Sequence, residues 1–101
     1  MADALIERQL IEVGERIKTL RARAAHLAEQ LAGAQAFAED ARLRGLLAET
    51  PQATVTAHDA ARHVERLVQA HAEALRSLDD LYREQDALLE RLGSHSTGTE
   101  Q

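Results

Sequence analysis

The sequence predicts an all-α protein: an antiparallel hairpin of two long, coiled-coil-like helices that assembles into a four-helix-bundle dimer. Three observations lead there. Of the 101 residues, 20 are Ala and 15 are Leu, against one Phe, one Tyr, one Pro and no Trp or Cys. Strands draw on β-branched and aromatic residues, and these are too few here for an all-β or α/β domain. Second, apolar residues recur at alternating spacings of four and three over most of the chain, the signature of heptads. Third, a short stretch around the single Pro51 interrupts that pattern near mid-chain, which divides the sequence into two helices.

The first helix is expected over about residues 3–49. Its stripe is Ile6, Leu10, Val13, Ile17, Leu20, Ala24, Leu27, Leu31, Ala34 and Ala38. A period of 3.5 residues gives a left-handed seam against a partner helix. Strong helix formers such as Glu7, Arg8, Glu12, Glu15, Arg16 and Lys18 fill the intervening positions. Gly14 and Gly33 each cost about 1 kcal/mol relative to Ala, too little to end so regular a helix. Beyond Ala38 the next large apolar residues are Leu43, Leu46 and Leu47, out of phase with the seam. The expected cause is a stutter, or a bend near Gly33, within one continuous helix.

The turn is expected at residues 50–56. Pro51 lacks an N–H and clashes one turn back, which stops a helix. Thr54, Val55 and Thr56 form the one β-branched run, with Thr56 as cap of the next helix and Asp59 three residues on. The second helix is then expected over about 57–92, closed by Gly93 as a C-cap. A disordered polar tail is expected at 94–101, leaving 1–93 as a single helical-hairpin domain.

The second helix carries two interleaved stripes. One runs Ala60, Val64, Leu67, His71, Ala74, Leu78, Leu81, Gln85, Leu88 and Leu92. The other runs Ala57, Ala61, Val64, Val68, His71, Leu75, Leu78, Tyr82, Gln85, Leu89 and Leu92. A face this broad exceeds what one neighbour covers. In an isolated hairpin either Leu67, Leu81 and Leu88, or Val68, Leu75 and Leu89, would stand in water, a patch that soluble monomers avoid. The predicted interface is therefore Val64, Leu67, Val68, His71, Leu75, Leu78, Leu81, Tyr82, Gln85, Leu88 and Leu89. Its partner is a second copy in a twofold dimer, or another helical protein. His71 and Gln85 sit on the shared line of both stripes. Polar residues at such positions set register at some cost in stability, and a histidine there is a candidate pH-sensitive group.

Charge supplies a check on the hairpin. Residues 16–23 hold Arg16, Lys18, Arg21 and Arg23 with no acid, and residues 79–90 hold Asp79, Asp80, Glu84, Asp86 and Glu90 against Arg83 alone. Folding back about residue 53 sets the two blocks against each other, with position 20 opposite position 86.

Many functions are disfavoured. The net charge of −5 opposes nucleic-acid binding, which depends on neutralising phosphates, and opposes docking on an anionic membrane. No apolar run approaches the roughly 18–20 residues of a membrane span, so the expected location is the cytoplasm. Without Cys there is no thiolate site or nucleophile. No Glu is followed by His three residues on, the pairing that di-iron bundles use, and Asp59 with His63 read as solvated neighbours. Ser77, Ser94 and Ser96 have no catalytic company, and Gly14, Gly33 and Gly45 stand apart rather than in a phosphate-cradling loop. The chain is thus expected to be non-enzymatic, with no cofactor and no metal site. Arg42 and Arg44, with Arg62 and Arg66, form a modest basic cluster that reads as a solvated face. A further reading is a helical regulator holding an apolar ligand in the bundle core, where Ala34 and Ala38 opposite His71 and Val68 would leave room.

Two short features resemble the WXG family of small exported helical hairpins. Leu43-Arg44-Gly45 is similar to the Leu-x-Gly variant of that family's Trp-x-Gly element between the helices, and Tyr82-Arg83-Glu84-Gln85-Asp86 is similar to its Tyr-x-x-x-Asp/Glu. The likeness covers eight residues; the chain lacks the Trp, and its turn residues come later, at Pro51. What the resemblance implies is an effector or secretion partner exported without a cleaved signal peptide, with Tyr82 and Asp86 in the export signal.

Overall fold

The computed structural model describes residues 2–100, with side chains over 2–94. It is all-helical: α1 spans Ala2–Ala48 and α2 spans Pro51–Glu100, joined through Glu49 and Thr50. So short a link between two long helices folds them back as a hairpin. The connection is tighter than the 50–56 turn expected from the sequence, and α2 starts at Pro51 rather than near 57.

The local chemistry explains the difference. Thr50 is the N-cap of α2, its Oγ1 accepting a hydrogen bond from the Ala53 amide at 3.1 Å. Pro51 then occupies the first helical position, where its missing N–H costs nothing and its fixed φ suits the helix. The proline that ends one helix therefore begins the next. The cap expected at Thr56 is not used. Instead the Thr54 and Thr56 hydroxyls donate to the carbonyls of Thr50 and Gln52 at 3.2 and 3.0 Å, within the helix. On the other side Glu49 adopts φ 50° and its amide bonds the Gly45 carbonyl at 3.3 Å, a left-handed C-terminal closure of α1.

Gly93 does not end α2. The helix runs through it, and the described glycines all keep negative φ. A single glycine costs a helix only about 1 kcal/mol. Apart from Ser94, the side chains of the expected polar tail at 94–101 lie outside the described residues.

The chain divides into two compact units. One comprises Met1–Arg23 with Ala74–Gln101, and the other comprises Ala24–Glu73. In the first, the open-end unit, Ile6, Val13 and Ile17 of α1 and Ala74, Leu78 and Leu88 of α2 are buried. Leu10, Leu20, Leu81, Gln85 and Leu92 are half-buried beside them. Leu20 and Leu81 border one shallow depression, which sets these two positions side by side across the helix pair.

In the second, the turn-end unit, the buried residues are Ala24, Leu27, Ala41 and Ala60. Leu31, Ala34, Ala38, Gly45, Ala53, Ala57, Val64, Leu67 and His71 are half-buried. The seam of α1 therefore does not slip after Ala38. It continues in phase through Ala41 and Gly45, and it is Leu43, Leu46 and Leu47 that face outward. Close approach explains why: a Cβ built on Gly45 would lie 3.5 Å from the Ala53 carbonyl oxygen and 3.7 Å from the Ala57 Cβ. Small residues therefore fill the seam at this point, and Leu43, Leu46 and Leu47 fall outside its phase.

The cross-hairpin charge pairing is also revised. With the connection at 49–50, Arg21 comes level with about residue 79, not with the middle of the acidic block. Among the described residues, the ion pairs seen are Glu39–Arg42, Asp40–Arg44 and Asp79–Arg83, each within one helix and exposed. Register is carried by the apolar seam, as expected when exposed pairs are worth about 0–1 kcal/mol.

Candidate interaction surface

The broad face of α2 separates cleanly. Its first stripe (Ala60, Val64, Leu67, His71, Ala74, Leu78, Leu81, Gln85, Leu88 and Leu92) is buried or half-buried along α2. Of the predicted interface residues, Leu78 and Leu88 are buried, and Val64, Leu67 and Leu81 are half-buried. What remains outward are the large residues unique to the second stripe: Val68 at 43% exposure, Leu75 at 48%, Tyr82 at 38% and Leu89 at 50%. The reason is geometric. One α1 helix covers a seam two residues wide per heptad, and the third residue of each heptad on α2 is left over.

In the open-end unit, Leu75, Tyr82 and Leu89 recur every seven residues on α2, so they share one line of the helix. Asp79 and Asp86, each four residues beyond an apolar member of this line, border it and are exposed. Across the seam on α1, like heptad positions lie on the same edge of an antiparallel pair. These are Gly14 and Arg21, bordered by Ile11 and Lys18. Ile11 is 68% exposed, and Lys18 and Arg21 are exposed.

In the turn-end unit the equivalent edge is a groove of about 650 Å³, floored by Ala38, Gly45, Ala57 and Ala61. Leu46 and Val64 flank it, and Glu39, Arg42, His58 and Glu65 form a polar rim. Arg42 grips Glu39 with two hydrogen bonds, Nη2 to Oε1 at 2.8 Å and Nε to Oε2 at 3.2 Å. That hydrogen bonding, and then the opposite charge, holds the Glu39 carboxyl below its ordinary range and Arg42 above its own. The groove is open to solvent, and neither His71 nor Val68 lines it.

His71 and Gln85 are half-buried on the inner stripe. Asp59 and His63 are exposed, as are His26 and His58. Among the described residues, no group of three or more His, Asp or Glu side chains is placed to hold a metal, and no helix is long and apolar enough to cross a membrane. Arg42 and Arg44 are engaged by Glu39 and Asp40, and Arg62 and Arg66 share a depression with Glu65 and Glu73.

Leu43-Arg44-Gly45 lies inside α1 rather than between the helices, and Tyr82 and Asp86 sit one turn apart on the outward side of α2. No family model matches this chain, and no curated protein or solved structure matches it either.

Proposed function

We propose that this chain is a non-enzymatic helical interaction module that associates, through the outward stripe of α2, with a second copy of itself or with another helical protein. One observation carries the reading. After the hairpin has closed, Leu75, Tyr82 and Leu89 still stand about half exposed on one line of a single helix. Isolated exposed apolar residues are ordinary, but a heptad-spaced line of them is the pattern a docking helix uses. The residues that set the register of such a contact are His71 and Gln85, at its inner edge.

The test is sedimentation of the wild-type chain beside Leu75→Glu/Tyr82→Glu. The wild type is expected to be associated at micromolar concentration, or to capture a helical partner. The variant is expected to lose that association while keeping its helical circular dichroism. A wild type that stays monomeric and unpartnered would sink the reading.

A second reading has support in the same place. Tyr82 and Asp86 are both accessible on α2 and one turn apart, as an export signal read by a secretion apparatus requires. Under it, Tyr82→Ala abolishes export from a host that secretes the wild type.

A further inference from the structure

We infer that the occupant of the Leu75–Tyr82–Leu89 surface is a second copy of this chain, seated with the twofold axis parallel to the helices so that α1 of each copy lies over α2 of the other. The inference rests on the association proposed above and adds partner identity and geometry to it.

The argument is one of charge on a single edge of the open-end unit. Its α2 side is apolar and acidic: Leu75, Tyr82 and Leu89 bordered by Asp79 and Asp86. Its α1 side is basic and small: Lys18, Arg21 and Gly14, with Ile11 exposed and Glu7 as the acid further out. The surface thus carries both halves of a complementary pair, which is what a self-complementary twofold contact needs.

The two ways of stacking this edge on itself then differ in sign. With the twofold axis along the helices, equal heights meet. Since α1 and α2 fold back at 49–50, Arg21 of one copy comes level with Asp79 of the other, and Lys18 with the Tyr82 region between Asp79 and Asp86. Gly14, which has nothing within 4 Å of a built Cβ, leaves open space for the approaching helix. With the axis across the helices, α2 lies on α2. Centred on Tyr82, that arrangement sets Asp79 beside Asp86 of the other copy, and like charges in a contact are costly. The charges therefore select the first arrangement, an antiparallel four-helix bundle. Asp79 already pairs with Arg83 of its own helix at 3.1 Å. Both partners of that pair are well exposed, so Asp79 is free to exchange it for Arg21 at little cost.

The experiment uses two charge-reversal chains, Lys18→Glu/Arg21→Glu and Asp79→Lys/Asp86→Lys, measured by analytical ultracentrifugation with and without added salt at roughly 0.5 M, about three times physiological ionic strength. All four positions are exposed, so each chain should keep its helical circular dichroism. Each alone is expected to self-associate at least about tenfold more weakly than wild type. Mixing them should restore a 1:1 dimer, and salt should weaken both it and the wild type. If wild type dimerises, Leu75→Glu/Tyr82→Glu abolishes the dimer, and the charge reversals have no effect, this arrangement is overturned while the association reading stands. Two variants that remain monomeric when mixed overturn it as well. A wild type that binds only a protein of different sequence overturns the second copy as occupant.

Discussion

The two ends of this hairpin run on the same heptad but are built from different residues. In the open-end unit the seam is Ile6, Val13, Ile17, Leu78 and Leu88, all buried, with Ile6 at 1% exposure. In the turn-end unit, beyond Leu31, it narrows to Ala34, Ala38, Ala41 and Gly45 against Ala53, Ala57 and Ala60. Burying a Leu or Ile contributes about 1.5–3 kcal/mol, several times what an Ala methyl contributes. The open end is therefore held by hydrophobic burial. The turn end is held by close backbone approach and by the caps around Glu49 and Thr50.

Substitutions can break that contrast. The largest effect is expected from Leu88→Ala, which opens a cavity in the seam of the open end. The cost should be about 2–5 kcal/mol, read as a lower urea midpoint, whereas removing the exposed Leu89 side chain should cost far less in a monomer. Next comes Gly45. Gly45→Leu should overpack the turn end by about 1–3 kcal/mol, because the Ala53 carbonyl and Ala57 Cβ already bound the space. Gly45→Ala meets only ordinary contact distances and should be neutral, or stabilising by up to about 1 kcal/mol. If leucine at 45 is tolerated as well as alanine, the seam there is not narrow. The smallest effect is at the cap. Thr50→Ala should cost about 1 kcal/mol and shift amide exchange at Ala53 before it shifts the midpoint of global unfolding.

Much of the architecture was legible in the residues. The period of α1 from Ile6 to Ala38 is regular enough to require one helix through Gly33, and the double stripe on α2 required that one of two apolar sets face outward. The failures have particular causes. Ala41 and Gly45 continue the alternating spacing of Ala34 and Ala38, but beside the larger Leu43, Leu46 and Leu47 they carry a weak hydrophobic signal. Pro51 is a breaker for α1, but Thr-Pro is also the pairing that an N-cap and first helical residue prefer, a signal that places the start of α2 six residues before 57. The charge pairing inherited the same error, because its register depended on the position of the turn.

Sequence alone determined that this chain is two helices, because composition, propensity and heptad spacing act locally and agree along nearly its whole length. It also determined that α2 is too broad-faced for a single neighbour. Only the tertiary structure decided which stripe turns inward. Both contain Val64, His71, Leu78, Gln85 and Leu92, so they differ little in hydrophobicity. The choice fell to packing: the stripe that holds Ala60, Ala74 and Leu88 is buried, and Val68, Leu75, Tyr82 and Leu89 are left exposed.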